Sequence, residues 1–391
     1  MTQLALFAPC PRGLEPVLAD ELAALGAERI EPIDGGVSFA GDARLMLRAN
    51  LESRTASRVL LKVTEGRYRY EKDVYALAKH VDWAKYFDVS NTIKVKTDGI
   101  GSKVKSLDFV SLTVKDAICD VFRAACGERP SVDTRFPDVR LQVFLSPEIA
   151  TIYLDTSGEP LFKRGWRDDT GEAPIRENLA AGILLLAGYD GSQPLLDPMC
   201  GSGTFLVEAA DIALNRAPGR RREFAFERLA GFDARLWDEV KQAAKSAEKP
   251  LGDELLPIVG RDRSRQMVET ARRNLARAGL GDAIRLGCGD VLDARPHAEA
   301  GLIVTNPPYG VRLDEQDALA ELYPELGHWL KKHFSGWTAY FFTGDLRLAK
   351  LIRLNPKRRT PLYNGALECR LFMIPLVAGS NRREKSDTVG Q

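Results

Sequence analysis

Leu195-Leu196-Asp197-Pro198-Met199-Cys200-Gly201-Ser202-Gly203-Thr204 is the stretch on which the reading of this sequence turns. An apolar strand runs into a glycine-bearing turn, and the turn into an apolar helix expected over 205–214. Glycine lets a ligand approach the main chain closely, and the first turn of a helix offers N–H groups that have no intrahelical partner. A cofactor is expected to lie across such a turn. Spacing argues against two familiar uses. There is no GxxxxGK[ST] phosphate loop, and a GxGxxG dinucleotide fingerprint would need glycine where Leu206 stands. Nucleotide hydrolysis and NAD chemistry lose ground accordingly.

Outward from this turn, apolar strands alternate with helices, as in a doubly wound sheet. The expected strands are 194–198, 256–260, 283–286, 301–305 and 336–343, closed by a hairpin of 361–363 and 369–375 around the turn signal Asn364-Gly365. The fourth of these strands runs straight into Thr305-Asn306-Pro307-Pro308-Tyr309-Gly310. An exocyclic amine on a base is a poor nucleophile because its lone pair is delocalised into the ring. A side-chain oxygen from Asn306 and the main-chain carbonyl of Pro307 can accept its two hydrogens and favour a pyramidal nitrogen. Prolines fix the direction of that carbonyl, and Tyr309 could stack on a planar base, a contact of roughly 1–3 kcal/mol in nucleic-acid complexes. A plain double-proline turn is the bland alternative.

The N-terminal part has a different texture. Helices are expected over 14–25, 45–51, 73–80 and 111–125, with strands at 36–39, 59–63, 92–95, 141–144 and 150–154. The chain of 391 residues carries a net charge of only +1, but 58–140 holds 16 Lys and Arg against 12 Asp and Glu. The near-neutral total is an average over unlike regions. With 45% hydrophobic and 28% charged residues, a disordered, collagenous or membrane-embedded chain is not expected. The longest apolar run, 179–189, is about half the ~20 residues of a bilayer span and reads as a buried helix. The first residues lack a basic region and have prolines in their apolar run, so they do not read as a signal peptide, and a cytoplasmic location is expected. Six scattered cysteines with no CxxC pair suggest neither disulfides nor zinc.

Asp197 to Thr204 together with Asn306 to Tyr309 resembles the class I S-adenosylmethionine-dependent amino-methyltransferases. The resemblance implies a Rossmann-like α/β domain with a seven-stranded sheet, S-adenosylmethionine as cofactor, and no metal. It places Asp197, Pro198, Cys200, Gly201, Gly203, Thr204 and Asn306 around the cofactor. Ala173-Pro174-Ile-Arg-Glu177-Asn178-Leu-Ala-Ala181 looks like the family's helix bordering the methionine end, which adds Pro174, Glu177 and Asn178. Asp262 would accept from the ribose hydroxyls and Asp290 would hold the adenine amino group. Asn306, Pro307 and Tyr309 would be the catalytic loop. Cys200 reads as a small packed side chain, since amino methylation needs no covalent nucleophile.

The N-terminal half is similar to the THUMP-bearing RNA methyltransferases, above all those acting on guanine N2 of bacterial large-subunit ribosomal RNA. Leu6-Phe-Ala, Arg12-Gly-Leu-Glu15, Gly35-Gly-Val-Ser-Phe39 and Ser53-Arg-Thr-Ala-Ser-Arg58 carry that likeness, and Phe162-Lys-Arg-Gly-Trp-Arg167 resembles the family's joining segment. The implied organisation is a ferredoxin-like α+β region over 1–57, a THUMP domain over 58–160, a methyltransferase domain over 161–378 and a polar tail over 379–391. The implied partner is RNA, 23S ribosomal RNA or a pre-ribosomal particle. The second methyltransferase fused to this enzyme in some bacteria is not expected here. Guanine-N2 methylation of transfer RNA is the nearest rival, followed by adenine-N6 methylation of DNA, glutamine-N5 methylation of protein and a non-catalytic assembly factor. Two basic groups could touch RNA or simply be solvated: Arg216 with Arg220, Arg221 and Arg222, and Lys94, Lys96, Lys103 and Lys105.

Overall fold

The computed structural model describes residues 3–167, 175–252, 254–308 and 313–377, the side chains of 313–319 excepted. Pro174 and Tyr309 lie outside the described residues.

The first sheet is built from β1 (Leu4–Pro9), β2 (Glu28–Ile33), β3 (Gly36–Gly41), β4 (Leu60–Arg67), β5 (Ile93–Gly99), β6 (Val139–Leu145) and β7 (Ile149–Asp155). Between them run α1 (Glu15–Ala24), α2 (Ala43–Glu52), α3 (Glu71–Lys79) and α4 (Leu107–Cys126). The strand order is β2-β3-β1-β4-β7-β6-β5. Because β1 pairs with both β3 and β4, the regions on either side of residue 57 share one continuous sheet. Two of its strands differ from the sequence reading, which had no strand at β1 or β2. β2 (ERIEPI) is exposed along nearly its whole length and so shows no alternation of apolar and polar residues. α4 starts four residues earlier than expected, where the Ser106 hydroxyl accepts from the Phe109 N–H, and ends on Gly127 at φ +80°. Its buried stripe of Val110, Val114, Ala117, Ile118 and Phe122 packs with Trp83, Phe87 and the inward residues of β5 to β7.

The second sheet comprises β8 (Leu195–Asp197), β9 (Ile258–Asp262), β10 (Arg285–Cys288), β11 (Leu302–Thr305), β12 (Thr338–Thr343), β13 (Arg358–Asn364) and β14 (Leu367–Pro375). The helices after residue 175 are α5 (Glu177–Leu186), α6 (Thr204–Ala213), α7 (Ala234–Ser246), α8 (Arg265–Arg277), α9 (Leu313–His333) and α10 (Leu348–Leu351). Its order is β10-β9-β8-β11-β12-β14-β13, parallel except for β14, which runs antiparallel to β12. From β8 the chain winds outward through β9 to β10, then returns across β8 to β11. A parallel sheet that reverses its winding in this way opens a crevice at the carboxyl ends of the two central strands, where ligands of such folds bind. Here those strands are β8 and β11, which end on Asp197 and Thr305.

The chain divides into two compact units. One holds the first sheet together with 175–186, 211–251 and Leu362–Gly365; the other holds 187–210, 252–361 and the strand after 366. The core of the second unit gathers Leu196, Ile303, Tyr323, Trp329, Phe334, Trp337, Phe341 and Phe372. Among the described residues no helix is long and apolar enough to cross a membrane.

Candidate active site

At the carboxyl end of β8 the chain enters the glycine turn. Gly201 at φ +50° and Gly203 at φ +84° adopt a backbone conformation that a Cβ disfavours, by roughly 1–2 kcal/mol per residue. The two have different surroundings. A Cβ on Gly203 would sit 3.2 Å from Cβ of Ala271, so this position serves the packing of the turn against α8. A Cβ on Gly201 would meet nothing closer than the Met267 methyl at 4.0 Å. The main chain is thus left open at Gly201, next to the first turn of α6 with its N–H groups, and a side chain there would fill that space.

Three neighbours hold the turn in place. Asp262, at the end of β9, accepts from the Gly201 N–H at 2.9 Å through one oxygen and from the Ser264 N–H at 2.9 Å through the other. The Cys200 N–H donates to the Arg261 carbonyl at 2.7 Å. Asn274, 1% exposed on α8, donates to the Ser202 carbonyl at 2.9 Å. Asn274 carried no role in the sequence reading. Its signal was a polar residue on the apolar face that buries Val268, Ala271 and Leu275.

Asp197 is 1% exposed, and its Oδ1 accepts from the Thr305 hydroxyl at 2.8 Å and from the Met199 N–H at 3.2 Å. Burial, with some repulsion from Asp262, pushes its carboxyl up to about 7 against the two hydrogen bonds that lower it. Burial likewise raises the Cys200 thiol far above its ordinary range, with Asp197 and Asp262 adding to the effect. This favours the neutral thiol, in keeping with the reading of Cys200 as a packed side chain. Asn306 follows β11 half-buried, Pro307 is buried and Pro308 exposed. Asp290, after β10, is exposed and accepts from the Leu292 N–H at 2.8 Å.

The second unit thus brings together Asp197, Pro198, Cys200, Gly201, Gly203, Thr204, Asp262, Asp290, Asn306 and Pro307. Glu177 and Asn178 belong to the first unit. Glu177 is 5% exposed, pairs with Arg167 at 3.1 Å, and has its carboxyl raised by burial. Asn178 is fully buried, and its Nδ2 donates to the Thr55 carbonyl at 3.2 Å and to the Ser57 hydroxyl at 3.0 Å. Its Oδ1 is buried without a hydrogen-bond partner.

The basic groups prove unlike one another. Arg220 grips the buried Asp211 at 2.7 and 2.8 Å. Arg222 donates to the carbonyls of Pro160 at 2.6 Å and Ser157 at 3.2 Å, and to that of Glu159, while burial lowers its pKa to about 10. Both are internal ties, whereas Arg221 stays exposed. Lys94 donates to the Thr134 carbonyl and Lys96 pairs with Asp98, while Lys103 and Lys105 are exposed.

A reversing parallel sheet with a glycine turn after its first strand and an Asn-Pro-Pro loop after its fourth is a class I methyltransferase domain. A family model described as the RMKL-like methyltransferase domain matches residues 164–372, and two others, the RlmL ferredoxin-like domain and the THUMP domain, match 5–60 and 68–155. The chain belongs to the RMKL-like methyltransferase family. The ribosomal RNA large subunit methyltransferase K/L of Marinomonas sp. (strain MWYL1) is 39% identical over 395 residues, covering 99% of this chain and 54% of that protein. The chain therefore spans about half the length of that curated relative. SMU.472, crystallised with S-adenosylhomocysteine, is 30% identical, with 97% of this chain and 100% of that one covered at a TM-score of 0.88. A Listeria monocytogenes (str. 4b F2365) chain described as a "predicted N6-adenine-specific DNA methylase" is also 30% identical, covering 96% and 97% at 0.87. Among the described residues no group of His, Cys, Asp or Glu is arranged to hold a metal.

Proposed function

We propose that the chain transfers a methyl group from S-adenosylmethionine to the exocyclic N2 of a guanine in RNA, with 23S ribosomal RNA as the substrate. The observation that carries this reading is the position of Asn306 and Pro307. They leave the end of β11, next to β8 and its open glycine turn, in the crevice where the sheet reverses. The name of the Marinomonas relative supports ribosomal RNA, and the THUMP match supports an RNA partner.

The bound cofactor supplies a methyl carried on a positively charged sulfur. Gly201 and the first turn of α6 form its bed, and Asp262 and Asp290 offer carboxylate oxygens to a ribose and an adenine amine. The Asn306 side-chain oxygen and the Pro307 carbonyl accept the two hydrogens of the guanine amine, freeing its lone pair. Tyr309 stacks on the extruded base. Catalysis rests on orientation, which can contribute roughly 7–11 kcal/mol in favourable cases. A proton leaves the nitrogen after methylation, so no dedicated base is assigned.

The name of the Listeria chain favours a second reading, adenine N6 in DNA. Since that structure covers nearly the whole of this chain, the fold does not separate the two readings. The test is transfer of labelled methyl from S-adenosylmethionine to undermethylated ribosomal RNA, transfer RNA and DNA, followed by nucleoside analysis. N2-methylguanosine in ribosomal RNA is expected, with turnover lost in Asn306→Ala while cofactor binding persists. Label in DNA as N6-methyladenine overturns the reading, and normal turnover of Asn306→Ala overturns the role of Asn306.

A further inference from the structure

The main-chain ladder between β8 and β11 pairs Leu195 with Leu302 and Leu196 with Ile303, and goes no further. Beyond that point the two strands lead to different loops, one to the glycine turn and the other to Asn306. A side-chain bond takes over where the main-chain bonds stop. Asp197 and Thr305 are the last residues of their strands, 1% and 0% exposed, and the hydroxyl donates to the carboxylate at 2.8 Å. The same carboxylate oxygen accepts from the N–H of Met199, inside the turn. One buried atom thus receives a donor from the end of β11 and another from inside the turn.

A carboxylate in such a place is expensive. Its donors are a hydroxyl and an amide, and a buried ionised carboxylate costs free energy that neutral donors offset only in part. Its presence calls for a use other than stability. We propose that Asp197 and Thr305 are positioning residues. They form a latch that fixes the spacing between the glycine turn and the Asn306 loop, and touch neither the base nor the transferred methyl. The proposal rests on the functional reading above in placing the acceptor amine at Asn306. A displacement of about 1 Å between reacting groups can cost two orders of magnitude in rate, so a short bond spanning the crevice has leverage on turnover.

The test uses the full chain, with undermethylated ribosomal RNA and S-adenosylhomocysteine as probes. Thr305→Val keeps the shape and removes the donor; Thr305→Ser keeps the hydroxyl. Loss of one buried hydrogen bond predicts that Thr305→Val lowers kcat about tenfold and weakens S-adenosylhomocysteine binding about threefold, although residue 305 lies outside the glycine turn. Thr305→Ser recovers most of both losses. Asp197→Ala combined with Thr305→Val is no worse than the poorer single variant, as expected of groups that act as a unit. The latch is overturned if Thr305→Val stays within about twofold of wild type in both readouts, if Thr305→Ser fails to rescue, or if the two losses multiply. If Asp197→Ala does not fold, the two Thr305 variants decide. If the wild-type chain methylates no RNA, the functional reading fails and calorimetry with S-adenosylhomocysteine alone decides the latch.

Discussion

Replacing Arg220 by alanine separates two roles that look alike in sequence, a phosphate contact and an internal tie. Its guanidinium makes two parallel bonds to Asp211, at 2.7 and 2.8 Å, and a third to the Ala217 carbonyl at 3.0 Å. The Asp211 side chain is 1% exposed and that of Arg220 17%, so the guanidinium rather than bulk water compensates the carboxylate. Removing one partner of a buried pair leaves an uncompensated charge, at a cost of about 3–5 kcal/mol. In a body of roughly 150–250 residues each kcal/mol lowers Tm by about 2–4 °C, so a fall of roughly 10 °C is expected for the unit containing 211–251. Urea and thermal unfolding followed by circular dichroism measure it. Asp211→Leu with Arg220→Met, which removes both charges, should restore most of the loss. RNA affinity at constant salt and low temperature should stay near wild type. A cost under about 1 kcal/mol, with RNA affinity falling instead, would refute the reasoning and make Arg220 a phosphate ligand.

Asp197 predicts a pH dependence of stability. Its folded pKa, about 7, lies above the ordinary 3.8, so the folded state holds the proton more tightly. The cost of the buried charge is absent below about pH 4, grows as pH rises, and is complete above about 7, reaching roughly 4 kcal/mol at 1.36 kcal/mol per unit. Asp197→Asn should remove that slope, read as a urea midpoint that changes less between pH 5 and pH 8 than in the wild type; an unchanged slope would count against the buried charge. The two turn glycines should fail differently. Gly203→Ala, strained and 3.2 Å from Ala271, should lower stability by about 2 kcal/mol. Gly201→Ala, facing open space, should lower it by about 1 kcal/mol while weakening S-adenosylhomocysteine binding at least about tenfold. Equal effects of both on binding would mean that the open face at Gly201 has no part in it.

The glycine turn, the Asn-Pro-Pro loop and the alternation of strands and helices around them were legible because each is local. A glycine at positive φ, a proline pair after an apolar strand and a helical stripe such as Val268, Ala271 and Leu275 write their geometry into neighbouring residues. The strand Glu28–Ile33 was not legible, since a mostly exposed edge strand imposes no pattern on its side chains. Nor could charge alone distinguish Arg220 and Arg222, held inside, from Arg221, left outside. Local sequence by itself determined which turn and which loop follow the central strands, and which kind of sheet presents them. Only the tertiary structure decided that Asp197 bonds to Thr305, that Asn178 bonds to Thr55 and Ser57, and that Asn274 steadies Ser202. These partners stand 108, 123, 121 and 72 positions apart. A buried polar group must find a partner, but its need for one does not say where along the chain that partner lies.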